Sequence, residues 1–285
     1  MKFSALIFIF FLIFSINACT VQDEVEITDT FVLATYGTLR TLDPAACYDT
    51  TGSQRIWNIY EPLVFFAGSK TDAFIPLLTT RVPTLENGGI SSGGTIYTFP
   101  IRKGVKFQDG TELTPQDVAY SFKRNMITDP DGGPMWMLLE ALTGQSSTRD
   151  ENGKIIAGIF KTIDQAVKVK GDSVVFHLPR PYPPLMGILA YSSSVILNRE
   201  WAIANGCWDG DIKNAAKYNN PAPGHEPLQK ITNGTGAFRM KSWKPSKECV
   251  FERVEGYWGT RPALKTAIVK YVKEWSTRKL MLQNG

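Results

Sequence analysis

The sequence predicts a mixed α/β fold in which β-hairpins and helices alternate irregularly, unlike a doubly wound parallel sheet. The clearest hairpin lies in residues 233–259. There, Gly234 and Gly236 favour a tight turn, and a strand of alternating residues reverses at Pro245. A second hairpin is indicated by the Gly171-Asp172 pair between two β-prone runs. Helical signals lie between the two hairpins along the chain. We therefore expect strands and helices to pack together in one core.

The other elements follow in chain order. Residues 31–36 are apolar and β-prone, which predicts a buried first strand. Asp49, Thr50 or Thr51 can cap a helix that runs to about Tyr60. These signals predict a strand–helix start to the domain.

Proline marks two further elements. Pro100 in the predicted strand 95–101 favours an edge position, because proline cannot donate to a strand ladder. Thr114 is the predicted N-cap of a helix that reaches Met126, and Asp117 lies where a capping box needs it. The predicted late strand covers residues 268–272.

The amino terminus has the pattern of an export signal. Lys2 precedes an apolar run over residues 5–14, which is shorter than the about 20 residues that a membrane span needs. The small residue before Cys19 predicts a lipoprotein signal peptide over residues 1–18, with lipid attached to Cys19 and a polar tether over residues 19–30. An ordinary signal peptide with an incidental Cys19, or a buried helix, are the alternatives.

Composition limits the functional classes. The net charge of +4 is small, and the lysines and arginines are scattered along the chain. We therefore expect no nucleic-acid partner. Three cysteines follow Cys19: Cys47, Cys207 and Cys249. Two of them could form one internal disulfide, or all three could be buried free thiols. Nothing in the sequence distinguishes these two possibilities.

The sequence contains no recognisable catalytic motif. Gly-x-Ser-x-Gly, His-Glu-x-x-His and phosphate-loop patterns are absent. Its two histidines, His177 and His225, lie in a predicted strand and a loop, and His225 with Glu226 provides too few ligands for a metal. We therefore expect no enzyme activity, no cofactor and no metal site.

Several motifs, in order along the chain, resemble the bacterial extracellular solute-binding proteins of family 5, the oligopeptide and dipeptide receptors of ABC importers. They are the lipobox with Cys19, Thr41-Leu42-Asp43-Pro44, Tyr60-Glu61-Pro62-Leu63, residues 101–110 with residues 113–122, residues 234–238 through Tyr257-Trp258, and Trp275-Ser276-Thr277-Arg278. The resemblance implies a periplasmic-binding-protein type II fold, in which two lobes close around a ligand.

The resemblance also implies a domain division. Residues 31–64 and 190–270 would form the first lobe, residues 65–189 its extra subdomain, and residues 271–285 the start of a second lobe that is largely missing. The sequence is then either a fragment or the product of a truncated gene. We expect this piece by itself to bind ligand weakly or not at all.

By family position, the ligand-facing candidates are Thr38, Leu39 and Arg40 after the first strand and Tyr120 on the capped helix. Each has a plain alternative: Leu39 in the core, Arg40 as a solvated charge and Tyr120 as a packing residue. The implied partners are a peptide, an ABC permease and, through the lipid on Cys19, a membrane.

We expect a monomer in the cell envelope, in the periplasm or on the outer face of the cytoplasmic membrane. Nickel, haem or sugar are alternative ligands. A surface interaction or sensor lipoprotein on the same fold is the alternative from another functional class.

Overall fold

The computed structural model describes residues 29–284 and has a mixed α/β architecture, as predicted. The strands are β1 (Thr30–Thr35), β2 (Val64–Phe66), β3 (Phe74–Pro76), β4 (Ile96–Pro100), β5 (Val167–Lys170), β6 (Ser173–His177), β7 (Phe238–Lys244), β8 (Glu248–Arg253) and β9 (Thr266–Tyr271). The helices are α1 (Thr50–Ile59), α2 (Pro115–Thr128), α3 (Trp136–Thr143), α4 (Ile159–Ala166), α5 (Leu185–Leu189), α6 (Arg199–Ala204) and α7 (Trp275–Gln283), with 3-10 segments at Ser192–Ser194 and Ile212–Tyr218.

The largest sheet has the strand order β1-β9-β8-β7. Strand β1 runs parallel to β9, whereas β9 with β8 and β8 with β7 are antiparallel. A three-stranded sheet has the order β4-β6-β5, and β2 pairs with β3. Strand β4 is the edge strand of this sheet, as Pro100 predicts, because β6 is its only neighbour among the strands of residues 29–284. On its other side, Ile90 forms an isolated bridge with Tyr97.

The predicted hairpin of residues 233–259 is confirmed as β7 and β8, but the role of its glycines is different. A Cβ on Gly234 would lie 2.1 Å from the Ile59 carbonyl oxygen, and one on Gly236 would lie 2.5 Å from the Asn58 carbonyl oxygen. Neither glycine is among those with positive φ. They are required because the chain passes directly against the end of α1, rather than because a turn needs unusual backbone angles.

The prediction of a buried first strand is wrong. The side chains of Phe31 and Val32 are 50% and 48% exposed, and Leu33 is also exposed. Strand β1 lies at one edge of its sheet, where β9 is its only strand partner among residues 29–284. The apolar sequence therefore predicts the strand correctly, but the segments that surround it determine its burial.

Helix α2 begins at the predicted capping box. The Thr114 Oγ1 accepts from the Asp117 N–H at 3.3 Å, and the Asp117 Oδ2 accepts from the Thr114 N–H at 2.8 Å. The buried Phe122 of this helix meets Phe176 of β6 edge-to-face at 4.8 Å between ring centroids. The cap and this contact seat α2 on the three-stranded sheet.

The three cysteines in the described part of the chain are free and buried. Burial raises the pKa of both the Cys47 and Cys249 thiols to about 11. Burial is also the main cause that raises the pKa of Cys207. These properties match the alternative of buried, unreactive thiols.

The predicted signal peptide and Cys19 lie outside the described residues, as does most of the predicted tether. The last two tether residues, Asp29 and Thr30, belong to the fold: Asp29 forms an ion pair with Lys265, and Thr30 begins β1. Among residues 29–284, no helix has the length and apolarity that a membrane crossing requires.

Candidate ligand-binding surface

The loop after β1 lies at the carboxyl end of the parallel strand pair. The Val272 N–H donates to the Thr35 carbonyl at 2.8 Å, so both strands end at the same edge of the sheet. In open α/β sheets, ligands bind in the crevice outside the carboxyl ends of the strands. The loop carries three of the four predicted site residues, Thr38, Leu39 and Arg40.

Thr38 and Leu39 border a shallow groove. Its other walls include Trp243, Cys249 and Val269. Thr38 is exposed, whereas Leu39 is half-buried and packs against the core. Within residues 29–284, no hydrogen bond engages the backbone of Thr38 or Leu39. Their peptide groups are therefore available to an incoming ligand.

Arg40 borders a larger cavity of about 730 Å³. Its side chain is 72% exposed and lies 3.9 Å from Asp49, which is a loose ion pair. The rest of the cavity is lined by Thr41, Ala46, Pro130, Asp131, Gly132, Asn220, Pro221, Ala222, Pro223, Gly224, Glu226 and Gln229. This volume lies within the range of about 300–1,000 Å³ that small-molecule sites occupy.

Gln229 fixes the backbone beside Arg40. Its Nε2 donates to the Arg40 carbonyl at 3.2 Å, and its own carbonyl accepts from the Leu42 N–H at 2.9 Å. The loop is thus held at one end, while Thr38 and the guanidinium of Arg40 remain exposed to solvent. We regard residues 38–40 and the adjoining cavity as the candidate ligand-binding surface.

Tyr120 lies elsewhere, inside the protein. Its side chain is 4% exposed, its hydroxyl donates to the Trp208 carbonyl at 2.7 Å, and its ring stacks on that of Trp208. Burial raises the pKa of the Tyr120 hydroxyl. The structure does not bring Tyr120 together with residues 38–40, and these contacts are those of a packing residue.

Sequence reasoning missed a polar cluster around Glu61. Its carboxylate accepts from the Tyr257 hydroxyl at 2.6 Å and from the Trp258 Nε1–H at 2.7 Å, and Arg102 lies over the Trp258 ring at 5.1 Å. Burial is the main cause that raises the pKa of the Glu61 carboxyl. The cluster joins three of the sequence motifs, so those motifs have a structural role here.

The candidate surface provides hydrogen-bonding backbone groups and one guanidinium. These groups suit the binding of a ligand. In the described part of the chain, no three His, Cys, Asp or Glu side chains are grouped so that they could hold a metal ion. His225 borders a separate cavity of about 190 Å³ with Arg124, and His177 is on β6. The two histidines therefore share no site.

The model of the family "Bacterial extracellular solute-binding proteins, family 5 Middle" matches residues 73–285. The chain belongs to the family 5 solute-binding proteins. This family is one of binding proteins, and the resemblance inferred from the sequence motifs is confirmed. The mixed α/β fold is that of family 5 periplasmic binding proteins, covering part of their full length.

Curated relatives and solved structures agree with this assignment. The chain is 28% identical to the dipeptide-binding protein of Escherichia coli strain K12 over 244 residues, which is 79% of this chain and 41% of that protein. Its structure matches that of the DppA periplasmic binding protein from Helicobacter pylori in complex with the peptide STSA, with a TM-score of 0.68, 23% identity, and coverage of 90% and 45%.

A structure with another kind of ligand also matches. NikA from Brucella suis in complex with Fe(III)-EDTA has a TM-score of 0.64 and 20% identity, with coverage of 90% of this chain and 42% of NikA. At this identity the match shows the fold alone. The chain spans less than half the length of each of these three proteins.

Proposed function

We propose that this chain is part of the substrate-binding receptor of an ABC importer, which captures di- or oligopeptides and delivers them to a membrane permease. The observation that carries the proposal is the family match over residues 73–285. The relatives named for dipeptides, and the H. pylori structure with a bound peptide, favour peptides as the ligand class.

The candidate surface has the chemistry that a peptide needs. The unused peptide groups of Thr38 and Leu39 can pair with the backbone of an extended ligand. The exposed Arg40 guanidinium suits a carboxylate, with which arginine forms strong, bidentate hydrogen bonds. The cavity of about 730 Å³ beside Arg40 has room for side chains of different size.

The proposal includes the organisation of the receptor. Residues 31–64 and 190–270 form its first lobe, residues 65–189 the extra subdomain, and residues 271–285 the beginning of the opposing lobe. The ligand lies in the cleft between the lobes, which close when a peptide contacts both. A lipid on Cys19 holds the monomeric receptor at the cell envelope.

Calorimetry tests the ligand class. Di- to hexapeptides are titrated into the 285-residue chain and, if the reading frame extends beyond Gly285, into the longer product. We expect peptide binding that is tighter in the longer product, since there the second lobe completes the cleft. A response to nickel, haem or a sugar, with no heat from any peptide, would refute the peptide assignment.

A further inference from the structure

A groove of about 580 Å³ follows the outer edge of β7. One wall is the strand itself, and the opposite wall is built from α6 and the segment that precedes the hairpin. The lining residues are Trp201, Asn205, Lys230, Ile231, Thr232, Met240, Lys241, Ser242, Trp243 and Pro245. We call this feature the β7-edge groove. The family assignment and the proposed ligand surface leave it without a role.

The backbone at this edge is unused. Strand β7 is the last in its sheet and pairs only with β8. The Phe238 carbonyl accepts from Gln108 at 2.9 Å, and the Lys244 carbonyl accepts from the Lys247 N–H at 3.0 Å. Between them, no backbone group of residues 239–243 bonds to anything other than β8 within the described range 29–284. The groove therefore exposes a short row of free donors and acceptors.

The groove is positively charged. Lys230 and Lys241 line it, no carboxylate does, and the flanking hairpin adds Arg239, Lys244 and Lys247. The carboxylates that pair with these cations are on β8, where Glu252 pairs with Arg239 at 2.7 Å and Lys241 at 3.4 Å, and Glu248 pairs with Lys244 at 2.8 Å. Glu200, beside Trp201 on α6, pairs with Arg199. Because Glu252 and Glu248 are two carboxylates against five cations, the edge carries an excess of positive charge.

Two tryptophans complete the groove. Trp201 on α6 and Trp243 on β7 are both half-buried, so part of each ring faces solvent. Tryptophan combines a large apolar surface with a polar N–H, which suits a ligand that is part apolar and part polar. Such rings can pack on the alternate side chains of an added strand.

We propose that the β7-edge groove binds an extended, acidic segment of a partner protein, which adds to the sheet as a strand beside β7. The free backbone groups select a polypeptide, because only another extended chain matches the spacing of a strand edge. The lysines select acidic side chains, by charge complementarity. Trp243 separates this groove from the one beside Thr38 and Leu39, so the partner does not take the place of the transported ligand.

A labelled peptide probes the groove directly. The probe is an end-blocked octapeptide of alternating Glu and Val, and its binding to the purified chain is followed by fluorescence anisotropy. We expect binding that weakens as salt is added. A Lys–Val octapeptide should not bind, and N-methylation of alternate Glu–Val peptide groups should weaken binding at least about tenfold, because it removes the edge hydrogen bonds.

Charge-reversal variants test whether the probe binds in the β7-edge groove. Lys230→Glu and Lys241→Glu, on different walls of the groove, should each weaken binding about tenfold. Lys154→Glu is the matched control, because Lys154 is also exposed but lies in a loop outside the groove. Circular dichroism verifies that each variant is folded.

Four outcomes would overturn the proposal. In the first, the Glu–Val and Lys–Val peptides bind equally well. In the second, the N-methylated Glu–Val peptide binds as well as the unmodified one. In the third, the chain binds phosphatidylglycerol vesicles through Lys241 and binds no peptide. The fourth is loss of probe binding in Arg40→Ala with full binding by Lys241→Glu, which would assign the probe to the candidate ligand-binding surface.

Discussion

Asp43 and Arg124 form a bidentate ion pair in the protein interior, with Nη1–Oδ1 and Nη2–Oδ2 distances of 2.5 and 2.6 Å. Both side chains are almost completely removed from water. The pair joins the turn after the candidate ligand loop to helix α2. Because neither charge has access to solvent, each one depends on the other for its stability in the fold.

Asp43→Ala should strongly destabilise the protein, because it leaves the Arg124 charge buried and unpaired. The expected loss in the free energy of unfolding is about 3–5 kcal/mol, measured by urea denaturation. Asp172→Ala is the matched control: Asp172 pairs with Lys103 at 2.6 Å on the surface, and both side chains are mostly exposed. The control should leave the unfolding midpoint unchanged, and equal losses in the two variants would contradict this account.

Gly234→Ala should destabilise the protein through a clash with backbone. The new Cβ would lie 2.1 Å from the Ile59 carbonyl, which cannot move without shifting the end of α1. Overpacking of this kind costs about 1–3 kcal/mol. Gly256→Ala is the control, because no atom lies within 4 Å of its added Cβ. Thermal unfolding of both variants is the measurement, and equal midpoints would show that α1 does not pack against residue 234.

Thr114→Ala should remove the side-chain cap of α2 and lower stability by about 1 kcal/mol. The same substitution at Thr260, an exposed loop residue, is the control. Urea titrations of the two variants measure the difference. A loss at Thr114 no larger than at Thr260 would mean that the capping box contributes little.

Glu61→Gln should change how stability depends on pH. Burial raises the pKa of Glu61 in the folded state, so the folded protein holds this proton more tightly than the unfolded chain. The stabilisation that this proton gives is complete below the ordinary glutamate pKa and is lost as pH rises through the higher folded value.

Unfolding free energies of both proteins are measured from about pH 4 to pH 7, around the ordinary glutamate value. We expect the wild type to lose stability relative to Glu61→Gln as pH rises. A constant difference over this range would show that the Glu61 pKa is the same in the folded and unfolded states.

The sequence predicts local features of the fold well. The capping box joins Thr114 to Asp117, and the β7–β8 hairpin closes within a few residues, so the relevant contacts are visible in short stretches. The exposure of β1 and the burial of Tyr120 depend on distant segments: Tyr120 bonds to Trp208, which is 88 residues away. The Glu61–Tyr257 hydrogen bond joins residues that are 196 positions apart in the sequence, and no periodic sequence pattern predicts such a contact.

The same limit applies to the candidate site. The family resemblance directs attention to Thr38, Leu39 and Arg40, and the structure places all three beside grooves. Gln229, which holds the Arg40 carbonyl, and the wall formed by residues 220–224 come from a proline-rich region without a periodic signal. The surfaces opposite Arg40 therefore emerge only from the folded structure.

The most direct test of the account is peptide affinity after removal of the Arg40 guanidinium. Calorimetry with a di- to hexapeptide library compares the wild type, Arg40→Ala and Arg81→Ala, whose arginine is also exposed but lies outside the candidate surface. A charge-assisted hydrogen bond contributes about 1.5–3 kcal/mol, so Arg40→Ala should weaken peptide binding about tenfold or more. Arg81→Ala should bind as the wild type does. Equal peptide affinities in all three proteins would contradict the proposed peptide surface.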